Sequence, residues 1–129
     1  WDIASFIKQA ENPEVDGLVA VFESSDPRYS YIRVDEQGVG VELAEKNPIS
    51  NLALTGFHYW KHGSDFVRSA SAMIAAHDMH KGEFYVAPSY NYLIREGKKI
   101  LPFLTKEEDT IIIGTPEQLS SYIKKLDQV

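Results

Sequence analysis

Apolar residues recur at helical spacing through Trp1, Ile3, Phe6, Ile7 and Ala10. They predict a helix over Trp1–Glu11 that Asn12-Pro13 ends, because the residue before a proline avoids the helical region. Gly17–Glu23 (GLVAVFE) is a near-continuous apolar run, the pattern of a strand buried on both faces. After the loop Ser24-Ser25-Asp26-Pro27, Tyr29–Asp35 alternates, Glu36-Gln37-Gly38 turns, and Val39–Ala44 returns, which predicts a hairpin. The loop Asn47–Asn51 precedes an apolar strand over Leu52–Trp60. Ser64 is placed to cap a helix whose inner face is Phe66, Val67, Ala70, Met73, Ile74 and His77. Beyond His80-Lys81-Gly82, a shorter helix is predicted over Tyr85–Arg95, with Pro88 in its first turn or kinking it, and Gly97 stops it. Lys99–Phe103 and Asp109–Ile113 read as strands, and Thr115–Leu126 as a closing helix. Thr115 is its N-cap, Pro116 its first residue, and Gln118 stands at the capping-box position.

Strands alternate with helices around an inserted antiparallel hairpin, so the predicted class is α/β with a mixed sheet. At 129 residues the chain is expected to form a single domain, residues 1–129, with a core that needs no staples. It has no cysteine, which removes disulfides, thiol nucleophiles and thiolate-rich zinc sites together and fits a cytoplasmic location. Thirteen basic residues stand against nineteen acidic ones, for a net charge of −6, and no basic stripe tracks a phosphate backbone. No apolar run approaches the ~20 residues that span a bilayer. Neither nucleic acid nor membrane is therefore an expected partner. The first residue is Trp1 and the helical pattern starts with it, so the chain is expected to be part of something longer.

The candidate chemistry is sparse. His58/His62 and His77/His80 have ligand-like spacing, but His58 lies late in a strand, and a cationic side chain is favoured at a helix C-terminus in any case. No metal site and no catalytic nucleophile is assigned. Glu45-Lys46 lies at a predicted strand end. A carboxylate there can accept hydrogen bonds from sugar hydroxyls while an ammonium neutralises a phosphate. Neighbours on a strand point to opposite faces, so both serve one pocket only if the strand ends there; otherwise they are an exposed charged pair. Gly82-Glu83 has the same two readings, a close backbone approach with a hydroxyl-binding carboxylate, or a loop glycine and a helix-start glutamate. The aromatic residues from Phe57 to Tyr92 read as core and pocket wall.

Taken in order, DPRYSYIRVDEQG, AEKNPISN, LALTGFHYW, KGEFYVAPSYN and GTPEQL resemble the later half of the sugar-nucleotide pyrophosphorylases. These are nucleotidyltransferases that include glucose-1-phosphate thymidylyltransferase, and capsule- and lipopolysaccharide-type members are the more similar. The resemblance covers the chain from Trp1 and rests on the order and spacing of these segments. It implies a glycosyltransferase-A-like α/β domain, truncated on its N-terminal side, that builds the acceptor part of the enzyme. Glu45 is then the glutamate that contacts sugar hydroxyls and Lys46 the lysine on the acceptor phosphate. Gly56 and Glu83 match substrate-binding positions, and Leu54 and His58 line the pocket.

The implied reaction is attack of an acceptor phosphate, on a sugar or similar small molecule, on the α-phosphorus of a nucleoside triphosphate, releasing pyrophosphate. Magnesium is expected for the complete enzyme, bound by no residue identifiable in this chain, and the chain alone is expected to be inactive. Where thymidylyltransferases have a metal-binding aspartate before Gly-Thr, this sequence has Ile111-Ile112-Ile113-Gly114-Thr115. A non-catalytic domain that binds phosphate esters or sugars, or an assembly module, is the alternative. A truncated sheet edge would favour a homodimer.

Overall fold

The apolar run of β1 (Gly17–Glu23) has only core to face, and six of its seven residues are buried. In the computed structural model, which covers residues 1–129, β1 pairs antiparallel with β4 (Leu52–Trp60) and parallel with β5 (Ile100–Leu104). Strand β4 pairs on with β2 (Ser30–Val34), and β2 with β3 (Gly40–Glu45), giving a five-stranded mixed sheet in the order β3-β2-β4-β1-β5.

Alternate residues of β1 serve opposite layers. Val19 and Val21 join Ile32, Leu43, Leu54, Ile100, Ala87 and, from α3 (Tyr90–Arg95), Tyr90 and Leu93. Leu18 and Ala20 meet Phe6 and Ala10 of α1 (Ile3–Ala10). Burying a side chain such as Leu93 or Ile100 in such a layer stabilises the fold by about 1.5–3 kcal/mol. The α/β expectation is met, with helices flanking a mixed sheet.

Local boundaries depart from expectation in four places. Helix α1 begins at Ile3, because Asp2 caps it by accepting from the Ser5 N–H at 3.1 Å, so Trp1 lies outside it. Helix α2 (Gly63–Ala75) begins after His62 with no side-chain cap, and Ser64 lies within its first turn. Its inner face is Asp65, Ser69 and Met73, while Val67 and Ile74 are exposed and His77 lies beyond the helix at φ 50°. Arg68 explains this rotation, since it bridges Asp65 (3.1 Å) and Glu96 (2.6 Å) and ties α2 to the end of α3.

The predicted helix over Tyr85–Arg95 is a single 3-10 turn, Ala87–Ser89, followed by α3. Pro88 has no N–H to give a longer helix its ladder, and Tyr85 is left outside. Residues Asp109–Ile113 form no strand. A 3-10 turn, Glu107–Asp109, is followed by irregular backbone. Ile112 packs on Phe22, Tyr31 and Ala53, while Ile111 and Ile113 are exposed. Helix α4 (Pro116–Leu126) has the full predicted capping box, Thr115 with Gln118.

Both outer strands are closed to further pairing at their middles. On β3, the Asn91 side chain of α3 donates to the Leu43 carbonyl and accepts from the Leu43 N–H, both at 2.8 Å. On β5, the Thr105 N–H reaches back to Val21 at 2.7 Å. Strand alternation then aims the nitrogen of Pro102 at the outer edge, where it has no proton to offer. The two outer strands also approach one another: a Cβ on Gly40 would lie 2.7 Å from the Ile100 carbonyl oxygen. No helix is long and apolar enough to cross a membrane.

Candidate functional site

A cleft of about 930 Å³ opens where β2 begins and β3 ends, bounded also by the middle of β4 and the segment Ile111–Thr115. Its shape starts with Gly56. Between Val19↔His58 and Val21↔Leu54 the register of β1 against β4 slips, so that Thr55–Gly56–Phe57 oppose Ala20 alone. Such a bulge bends a strand and re-aims its side chains, and Gly56 supplies the φ of 95° it needs. Leu54 and His58, on either side, both line the cleft.

Strand β3 ends at Glu45, and Lys46 leaves the ladder at φ 51°. The turn lets these neighbours line the same cleft. Ser30, the register partner of Glu45 on β2, donates its hydroxyl to Glu45 Oε2. Lys46 Nζ donates to the Tyr85 hydroxyl at 3.0 Å and lies 5.0 Å from the centre of its ring. The Tyr85 hydroxyl in turn donates to Glu83 Oε2 at 2.6 Å. The bond to Tyr85, with the charges of Glu45 and Glu83 behind it, holds the Lys46 ammonium above lysine's ordinary range, so it stays cationic.

Glu83 is fixed by its backbone. It exchanges both main-chain hydrogen bonds with His80, at 2.9 and 3.1 Å, around Lys81 (φ 48°) and Gly82 (φ 80°). Two successive positive-φ residues make the tight turn of a two-residue hairpin.

His58 is pushed below the ordinary imidazole range by burial, and its Nδ1 has no hydrogen-bond partner. Its ring lies 5.9 Å from those of Trp60 and Tyr90. Folding therefore favours the neutral ring. Above about pH 6.5 both folded and unfolded states keep it neutral; below that the unfolded chain binds the proton first and stability falls until the folded ring also titrates. A His58→Gln variant is expected to lose less stability than the parent as pH is lowered from about 6.5, in urea unfolding at a series of pH values. Parallel slopes for the two proteins would show that another group carries the effect.

In chemical terms the cleft gathers cationic side chains. Arg28, Lys46 and Lys81 line it against the one carboxylate of Glu45, in a chain of net charge −6. Arg28 is held by Asp26 at 2.6 Å, which leaves Lys46 and Lys81 with no ion pair. To magnesium, which takes six oxygens with one or two carboxylates among them, the cleft offers the single carboxylate of Glu45, and no three potential metal ligands gather in the chain. Glu45 is already bonded to Ser30, and the facing wall is Ile111, Ile112, Ile113 and Gly114.

Of the residues expected to bind substrate, Glu45, Lys46, Leu54, Gly56 and His58 line this cleft. Glu83 stands behind it, joined to Lys46 through Tyr85. Sequence reasoning missed Ser30 and Lys81 and read Tyr85 only among the aromatic core and pocket-wall residues. Ser30 follows from counting back across the hairpin to Glu45, whereas Tyr85 was assigned to a helix that does not form there.

No protein-family model and no curated protein matches the chain. Solved structures do. The chain is similar to a nucleoside-diphosphate-sugar pyrophosphorylase from Vibrio cholerae RC9, with 27% identity and a TM-score of 0.79 over 96% of this chain and 49% of that one. The fold is that of the sugar-nucleotide nucleotidyltransferases. A CMP:2-keto-3-deoxy-manno-octonic acid synthetase solved with CTP shares it at 14% identity (TM-score 0.64, 98% of this chain, 56% of that one). So does a Bacillus anthracis protein described as a glucose-1-phosphate thymidylyltransferase, at 19% identity (TM-score 0.62, 81% of this chain, 41% of that one). The chain thus spans about half the length of these nucleotidyltransferase-fold structures.

Proposed function

We propose that the chain forms the acceptor-binding part of a nucleotidyltransferase of the nucleoside-diphosphate-sugar pyrophosphorylase type. The observation that carries this reading is the convergence of Glu45 and Lys46 on one cleft, made possible by the end of β3 and the positive φ of Lys46. Lys46 takes the phosphate of a phosphorylated sugar or similar small acceptor, and Lys81 adds to the local positive potential. Glu45 accepts a hydrogen bond from a hydroxyl of the same molecule, with Ser30 fixing its rotamer. An acceptor held in this way presents a phosphate oxygen to the α-phosphorus of a nucleoside triphosphate. The new O–P bond forms as the bond to pyrophosphate breaks, and the chemistry depends on positioning and charge neutralisation more than on a protein nucleophile.

Magnesium supplies charge neutralisation in such transfers, and in this reading it is held by residues other than those of the cleft. Transfer by these 129 residues alone is not expected.

The test is calorimetric titration with glucose 1-phosphate, glucose and inorganic phosphate. Lys46→Met is expected to weaken the sugar phosphate and inorganic phosphate alike by about tenfold or more, the loss of a charge-assisted contact. Glu45→Gln is expected to weaken the sugar phosphate and leave inorganic phosphate unchanged. A parent protein that binds no phosphate ester, or a Lys46→Met variant that binds as well as the parent, would overturn the reading.

A further inference from the structure

Lys46 lies close to two carboxylates and is paired with neither. Glu45 Oε2 is occupied by the Ser30 hydroxyl, and Glu83 Oε2 by the Tyr85 hydroxyl. The direct partner of Lys46 Nζ is the neutral oxygen of Tyr85, at 3.0 Å. A single phenol oxygen therefore stands between an ammonium and a carboxylate, bonded to both. The same ring holds the ammonium 5.0 Å from its centre and lies against His80, with ring centres 6.2 Å apart.

From this arrangement we infer that Tyr85 is a positioning residue of the anion site: its hydroxyl, bonded on both sides, keeps Glu83 off Lys46 so that the ammonium stays open to the phosphate of a ligand. The inference rests on the acceptor-site reading above and adds to it a residue and a specific duty. The hydroxyl accepts from Nζ and donates to Glu83, so it conducts a hydrogen bond between the two charges without letting them neutralise each other directly. Lys46 is fixed from its own side by its backbone. At φ 51° its N–H still reaches the Tyr29 carbonyl at 3.0 Å, so the side chain leaves a turn that is itself pinned.

Tyr85→Phe keeps the ring, its contact with His80 and its face toward Lys46, and removes only the oxygen. The ammonium and the Glu83 carboxylate are then expected to meet. The probe is methyl phosphate, which carries the charge without a sugar and so leaves hydroxyl recognition out of the comparison. Binding is followed by NMR titration at fixed pH, with the Glu83 carboxyl carbon observed in the free proteins. Tyr85→Phe is expected to bind methyl phosphate about tenfold more weakly than the parent. Its Glu83 carboxyl carbon resonance should move as the carboxylate meets the Lys46 ammonium, which a merely structural role for Tyr85 would not produce. The double variant Tyr85→Phe/Glu83→Gln, with no carboxylate to compete, should recover affinity to within about twofold of the parent.

Unchanged binding in Tyr85→Phe, or a double variant as weak as the single one, overturns the role of Tyr85 while the anion site stands. A parent protein that does not bind methyl phosphate removes the site itself, and this inference with it.

Discussion

Tyr90→Ala should destabilise the protein by about 3–5 kcal/mol, the range for deleting a large buried aromatic. Tyr90 is fully buried, its ring lies parallel to Trp60 within 1° at 4.7 Å, and its hydroxyl donates to the Tyr59 carbonyl at 3.0 Å. It joins α3 to the sheet at the point where β4 and β1 pair. Alanine there removes the stack and leaves a cavity between Val19, Leu93 and Ile100 that no neighbour is free to fill. Tyr90→Phe separates the contributions, since it keeps ring and volume and loses one buried hydrogen bond, for about 1 kcal/mol. Denaturant unfolding of the three proteins measures both differences. A midpoint for Tyr90→Ala close to that of Tyr90→Phe would show that the two layers do not depend on this ring.

Asn91→Ala should cost about 2–4 kcal/mol, because it strips two partners from one residue of β3. The Leu43 N–H and carbonyl both bond the Asn91 amide, and Leu43 is itself buried. Asn91→Asp tests the geometry: a carboxylate can still accept from the Leu43 N–H, yet it faces the Leu43 carbonyl with a second acceptor where a donor is needed. It is expected to fall below Asn91→Ala in stability at neutral pH and to recover as the carboxyl protonates. Hydrogen exchange at Leu43 gives the local readout. Continued protection of that amide in Asn91→Ala would show that water or another group takes the place of the side chain.

Much of the fold is legible in the sequence, for physical reasons. The strand Gly17–Glu23 carries enough continuous apolar surface that only a buried position suits it, and the Thr115–Gln118 capping box is local chemistry that needs no tertiary context. The rotation of α2 is not legible. Periodicity placed Val67 and Ile74 inward, but Arg68 reaches Asp65 and Glu96, and Glu96 lies at the end of a helix far along the chain. Asp109–Ile113 ends in three β-branched residues that suit a strand but has no strand to pair with, which no single-segment pattern reveals. In the site, the Glu45-Lys46 pair was readable because a strand end is visible in Asn47-Pro48. Tyr85 was not, since its place depends on a tight turn formed by Lys81, a residue with no intrinsic preference for the positive φ it adopts.

Pro102 has a bearing on how the protein behaves at high concentration. A chain adding itself to the free side of β5 would need donors from Ile100, Pro102 and Leu104, and the middle one is missing. The two that remain are about 13 Å apart along the strand, and the Ile100 end already lies against Gly40 of β3. On the opposite flank the Leu43 groups are already taken by Asn91. Edge-to-edge pairing of folded molecules, the route by which open sheets associate, would thus meet a missing donor on one flank and an occupied residue on the other.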